Sequence, residues 1–231
     1  MKLLSVNVSL PKEVLYQGKI VRTGIFKEPV QGRVNLRRLN LDGDGQADLI
    51  GHGGPFKAVY VYSIENYHYW KRKLGRDGFP YGQFGENFTV EEMEDDKVHV
   101  GDVFRVGSAL VEVTQPRVPC SKLAMKMEAP TFLKPFMTSE RVGFYLRVLK
   151  EGQVGAGDVV ERVKVGPERM TVREMFHLLY FDSDNLEGAR RALRIPAISP
   201  GWRSSFEEIV AKVSEALSRA SDCCSGQERR H

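Results

Sequence analysis

Apolar and polar residues alternate in short runs through the first two thirds of the chain, with glycine-rich turns between them. The runs at 21–26, 34–41, 58–62, 98–100, 103–106, 110–114, 143–149 and 159–163 predict strands. Asp42-Gly43, Gly53-Gly54-Pro55, Gly101-Asp102, Gly107-Ser108 and the 155–158 stretch supply the turns. Gly107-Ser108, between VFRV and ALVEVT, has the length of a two-residue hairpin. Many short strands of this kind favour a barrel or a sandwich, a mainly β architecture.

The period changes at two places. After Ser63, Ile64, Tyr67, Trp70 and Leu74 recur at helical spacing, and a shorter helix is expected over 121–127. Beyond Gly166-Pro167 the chain turns helical. Thr171 and Glu174 form a capping box for a helix through Tyr180. Asp184 starts a second helix, 186–193, which Ile195-Pro196 ends. A third spans about 204–217, with Phe206, Ile209, Val210, Val213 and Leu217 on one face. The expected organisation is a β domain over 1–165, a small three-helix domain over 166–220, and a tail from 221 that lacks an apolar pattern and is expected to be disordered.

Composition changes this picture little. The 231 residues carry a net charge of +4, spread along the chain, so no nucleic-acid footprint is expected. The first residues hold too short an apolar run for a leader, and no window approaches a membrane span. The 3 cysteines are Cys120, Cys223 and Cys224, which is no disulfide framework and suits a cytoplasmic location. Exposed apolar helix faces leave a homodimer open.

Several motifs bear on chemistry. DGDGQAD, starting at Asp42, fails as a calcium loop, because Ala47 and Gly53 fall where glycine and glutamate are needed; it reads as a turn. HGGPFK places His52 and Lys57 around Gly53 and Gly54, whose backbones can approach a ligand closely. It has no nucleotide-binding spacing. In FGENF, Glu86 and Asn87 can bond a ligand, or Asn87 can close a turn. Zinc is disfavoured by the scattered cysteines and histidines. Cys120 stands out: QPRVPCSKL ends a strand, Pro116 and Pro119 stiffen the loop, and Arg117 and Lys122 favour the thiolate. A Cys120–His52 nucleophile pair is one use of that thiol. A buried structural cysteine is the other reading.

Taken together, KIVRTGIFKEPV, LDGDGQAD, HGGPFKAVYVYSIENYHYW, FGENFTVE, GDVFRVGSALVEVTQPRVPC with SKL, and GFYLRVL resemble the MOSC family, named for the C-terminal domain of molybdenum cofactor sulfurase. The likeness is to its bacterial YiiM-type branch, linked to resistance against 6-N-hydroxylaminopurine, and extends to that branch's three-helix domain. The resemblance implies a β-barrel with interspersed helices that binds the molybdenum cofactor (molybdopterin), a pterin dithiolene with a phosphate. It implies Cys120 as the thiolate ligand to molybdenum. Arg117, Lys122 and Lys27 would hold the cofactor's anionic groups. His52, Asn87 and Gln115 would serve its pterin or the substrate, and Gly53 and Gly54 would offer backbone N–H groups.

The implied reaction is reduction of a small N-hydroxylated base to its amine. With no flavin or nicotinamide motif in the chain, electrons would come from a separate reductase. The alternative is a module that carries the cofactor, or persulfide sulfur on Cys120, without turnover.

Overall fold

The computed structural model describes residues 1–47 and 53–227, with the side chains of 216–227 outside the description. His52, proposed from sequence for the site, lies outside the described residues. In chain order the elements are β1 (Lys2–Val8), β2 (Lys12–Tyr16), β3 (Lys19–Thr23), β4 (Glu28–Pro29), β5 (Arg33–Leu36), β6 (Val59–Ser63), α1 (Ile64–Leu74), β7 (Phe88–Glu91), β8 (Val103–Val106) and β9 (Ala109–Pro116). There follow α2 (Ser121–Lys126), α3 (Leu133–Thr138), β10 (Phe144–Lys150), β11 (Gly152–Gly155), β12 (Val160–Lys164), α4 (Val172–Tyr180), α5 (Leu186–Leu193) and α6 (Pro200–Gln227).

Eight strands form one sheet in the order β12-β8-β9-β10-β6-β7-β1-β4, with β11-β5 and β2-β3 as separate pairs. The sheet curls. Leu3 N–H donates to Asp158 O at 2.9 Å and Val160 N–H to Met1 O at 3.0 Å, bringing β1 against the entry to β12. An isolated bridge, Lys2↔Val159, joins them. No continuous ladder closes the expected barrel among the described residues.

Local chemistry explains the elements that position the site. β8 and β9 form the expected hairpin, Val106 facing Ala109, with Gly107 at φ 55°. β6 runs straight into α1, where the Ser63 hydroxyl accepts the Asn66 N–H. The helix returns the chain to β7, which pairs parallel with β6. Trp70 and Phe136 are fully buried between helix and sheet, and Trp70 Nε1 donates to Tyr62 Oη at 2.8 Å. Burial of each such ring contributes roughly 2–3 kcal/mol. In the helical region Thr171 and Glu174 make the capping box, and Asn185, not Asp184, caps α5.

The structure corrects several expectations. β1 and β2 precede the first strand expected from sequence; β1, paired on both sides by β7 and β4, has a run of consecutive buried residues rather than strict alternation. Residues 98–100 form only a bridge, His99↔Thr171. The strand expected over 21–26 stops at Thr23, so the residues after it form a loop. β11 and α3 had no clear periodic signal. α6 starts at Pro200 rather than near 204 and continues as helix to Gln227, into the stretch expected to be disordered.

Candidate functional site

β9 ends at Pro116, and the chain then turns along the mouth of the sheet. Arg117 N–H is anchored to Gly143 O at 3.0 Å. Cys120 follows as the residue before α2, in extended conformation, its carbonyl accepting the Leu123 N–H at 2.9 Å. The thiol is half-buried and outside any disulfide. Strand end, proline-stiffened loop and helix start thus hold the sulfur at one place.

Two openings meet there. The first is a narrow cleft of about 90 Å³, lined by Lys27, Lys57, Arg117 and Lys122, with Asp44 as the one carboxylate among the described lining residues, and by Tyr60, Asn87, Tyr145 and Cys120. Four cations against one anion make it a site for negative charge. The second is a hollow of about 460 Å³ between the sheet and the helical region. Gly53, Gly54, Phe56, Gln115, Cys120 and Tyr145 form one side, and Ser199, Pro200, Gly201 and Trp202 the other. Lys57, Cys120 and Tyr145 border both.

Two of the cleft's cations, Arg117 and Lys27, are held by a buried frame. Arg117 is 5% exposed. Its guanidinium donates to Phe84 O at 2.9 Å and Tyr60 Oη at 3.2 Å, and stacks 4.5 Å from the Tyr60 ring centroid. Burial works against its charge, yet the neighbouring Tyr60, Tyr145 and Cys120 groups hold its pKa above the ordinary value. Burial raises the phenols of Tyr60 and Tyr145, so both are neutral donors near pH 7. Lys27 pairs with Asp44. Burial pulls the Lys27 pKa down while Asp44 opposes that shift.

Asp44 is fixed in turn: Ser9 N–H donates to it at 2.9 Å and Asn87 Nδ2 at 2.9 Å. Asn87 Nδ2 also donates to Asn7 O at 3.2 Å, and its Oδ1 accepts the Tyr60 N–H at 3.1 Å. The Asn87 amide is therefore engaged within the protein and positions Asp44. Its neighbour Glu86 accepts from Gly82 N at 2.7 Å, Phe84 N at 3.1 Å, Thr89 Oγ1 at 2.8 Å and Tyr67 Oη, and burial raises its pKa. FGEN thus acts as a clamp within the fold, with Asn87 still on the cleft lining. The clamp lies against the 25–27 loop, and Gly82, at φ 83°, permits that: a Cβ there would stand 2.6 Å from Lys27 O.

Of the residues proposed from sequence, Cys120, Arg117, Lys122, Lys27 and Asn87 line the cleft, and Gln115, Gly53 and Gly54 line the hollow. Sequence reasoning passed over Asp44, Tyr60, Tyr145 and Lys126, and noted Lys57 only as a flank of the Gly53-Gly54 turn. Asp44 sat in the loop tested for calcium, and its surplus of carboxylates was the usable signal. Lys126 donates to Ile25 O at 2.9 Å and to Gly82 O, behind the cleft. Burial lowers its pKa to about 8. No three His, Cys, Asp or Glu side chains cluster as a metal-binding group among the described residues. No helix among them is long and apolar enough to cross a membrane.

Comparison with known proteins agrees with this layout. Residues 48–161 match the MOSC domain model, and residues 170–212 match the YiiM-like, 3-alpha helix domain. The chain is 42% identical to YflK of Bacillus subtilis (strain 168), over 88% of this chain and 91% of that protein. It is 34% identical to part of a protein named Reductase from Gibberella moniliformis, covering 68% of this chain and 28% of that one. The crystal structure of YiiM from Geobacillus stearothermophilus superimposes with a TM-score of 0.78 at 33% identity, covering 90% of this chain and 98% of that one. A sheet domain followed by a small helical domain matches both family models in order, and the chain belongs to the MOSC family in its YiiM-like branch.

Proposed function

We propose that the chain binds the molybdenum cofactor and reduces N-hydroxylated bases, such as 6-N-hydroxylaminopurine, to the amine. The observation that carries this reading is the position of Cys120, a half-buried thiol at the rim of a cleft with four cations and one carboxylate. That donor set fits a phosphate-bearing dithiolene: a soft thiolate suits molybdenum, and fixed cations suit the anionic groups. A relative named as a reductase supports a redox role.

Cys120 would ligate the metal. Arg117 and Lys122 would hold anionic groups beside it, with Lys57 at the boundary between cleft and hollow. Lys27, already paired with Asp44, would add a weaker attraction from deeper in the wall. Tyr60 holds Arg117, and Asn87 through Asp44 holds Lys27, before anything binds, so these two need little reorganisation. Bound there, the cofactor would supply two-electron chemistry in which an N–OH group takes up two electrons and two protons and leaves as amine and water. A separate reductase would deliver the electrons, since the sequence carries no flavin or nicotinamide motif.

The test is elemental analysis and turnover of protein made in cells that produce the cofactor. Cys120→Ala is expected to lose both molybdenum and reduction of 6-N-hydroxylaminopurine driven by a chemical electron donor. Full activity in that variant would overturn the reading.

A further inference from the structure

Gln115, on the hollow's lining and 3% exposed, carries a buried acceptor, Oε1, that meets no donor among the described residues. The preceding residue shows the contrast: Thr114 Oγ1 donates to Phe56 O at 2.7 Å and lies 3.1 Å from Tyr145 O. A buried acceptor left unsatisfied costs about 1–3 kcal/mol, and such groups in native folds call for a specific explanation. The wall opposite is Ser199–Trp202, contributed by the start of α6. Lys57 is the one charged side chain among the described residues on the hollow's lining, so these suit an anionic group less well than the cleft does.

A primary amide presents a donor and an acceptor side by side in one plane. It pairs in bidentate fashion with a planar ring that carries an N–H beside a ring nitrogen. Trp202 and Phe56 offer apolar surface for such a ring. We propose that the hollow is the substrate side of the site, where Gln115 reads the exocyclic N–H and adjacent ring nitrogen of an amino- or hydroxylamino-substituted heterocycle, and α6 supplies the facing wall. This rests on the reductase reading for the chemistry that follows, and assigns Gln115 to substrate rather than to cofactor. The helical domain then contributes directly to specificity.

Calorimetric titration of the protein, purified from cells that make the cofactor, with 6-N-hydroxylaminopurine tests the assignment without turnover. Wild type should bind, and purine, which lacks the exocyclic N–H, should bind at least fivefold more weakly. Gln115→Leu should lower affinity about tenfold with molybdenum content unchanged. Gly201→Leu should abolish binding by filling the hollow; a Cβ at Gly201 meets nothing within 4 Å, so this variant keeps its fold and carries the test if Gln115→Leu does not. Absence of binding to wild type, unchanged affinity in either folded variant, or loss of molybdenum in Gln115→Leu would overturn the proposal. Failure of the reductase reading looks different: metal-loaded protein would bind the probe, yet leave it unreduced when electrons are supplied.

Discussion

In the cleft, Asp44 accepts hydrogen bonds from Ser9, Asn87 and Lys27; in the hollow, Gln115 Oε1 accepts from nothing among the described residues. Both openings border the same sulfur. The cleft's polar frame is complete before a ligand arrives, so its charges stand where an anion would meet them. The hollow keeps hydrogen-bonding capacity in reserve. A site that must hold one group firmly and exchange another benefits from that division, because preorganisation lowers the cost of binding while an open acceptor discriminates between ligands.

The sharpest way to break the contrast is Asp44→Ala. It leaves Lys27 buried without its partner and should destabilise the chain by about 3 kcal/mol, read by urea denaturation; a loss under about 1 kcal/mol would mean that the frame is not complete as described. Gly82→Ala comes next. Positive φ and the close Lys27 carbonyl together should cost about 2 kcal/mol and disturb the clamp, lowering molybdenum content as well.

Lys126 tests the frame through pH. Its pKa is about 8 in the folded chain, against 10.5 for an ordinary lysine. Between those values the unfolded chain holds the proton and the folded chain does not, so this group's contribution to stability rises with pH. Wild type should therefore gain stability over Lys126→Met by on the order of 1 kcal/mol between pH 8 and 10, allowing for partial exposure. A flat difference across that window would count against a buried Lys126. The smallest effect belongs to the hollow. Gln115→Leu removes an unsatisfied acceptor, so its stability should match or exceed that of wild type by less than about 1 kcal/mol. A large loss would mean that Gln115 has a structural partner.

Much of the local structure was legible in advance. The Gly107-Ser108 hairpin, the Ser63 cap and the Thr171–Glu174 capping box each depend on residues a few positions apart. The strong sulfur context of QPRVPCSKL was legible too. β1 was not, because a strand buried on both faces loses the alternation that marks a half-exposed one. Nor was the role of FGEN: Glu86 and Asn87 read as ligand-binding groups, but their partners Tyr67, Asp44 and Asn7 lie on other elements.

The sequence by itself determined where α1 and α4 start, which turn joins β8 to β9, and that Cys120 sits in a stiff, cationic loop, since each follows from short-range sterics and hydrogen bonding along the chain. Only the tertiary structure decided that Lys27 would meet Asp44, that Asn87 would hydrogen-bond within the fold, and that Gln115 would line one hollow with the first turn of α6, its acceptor unmet among the described residues. Those outcomes depend on sheet register and on the packing of the helical region against the sheet, where residues distant in sequence are desolvated together and each polar atom either finds a partner or does not.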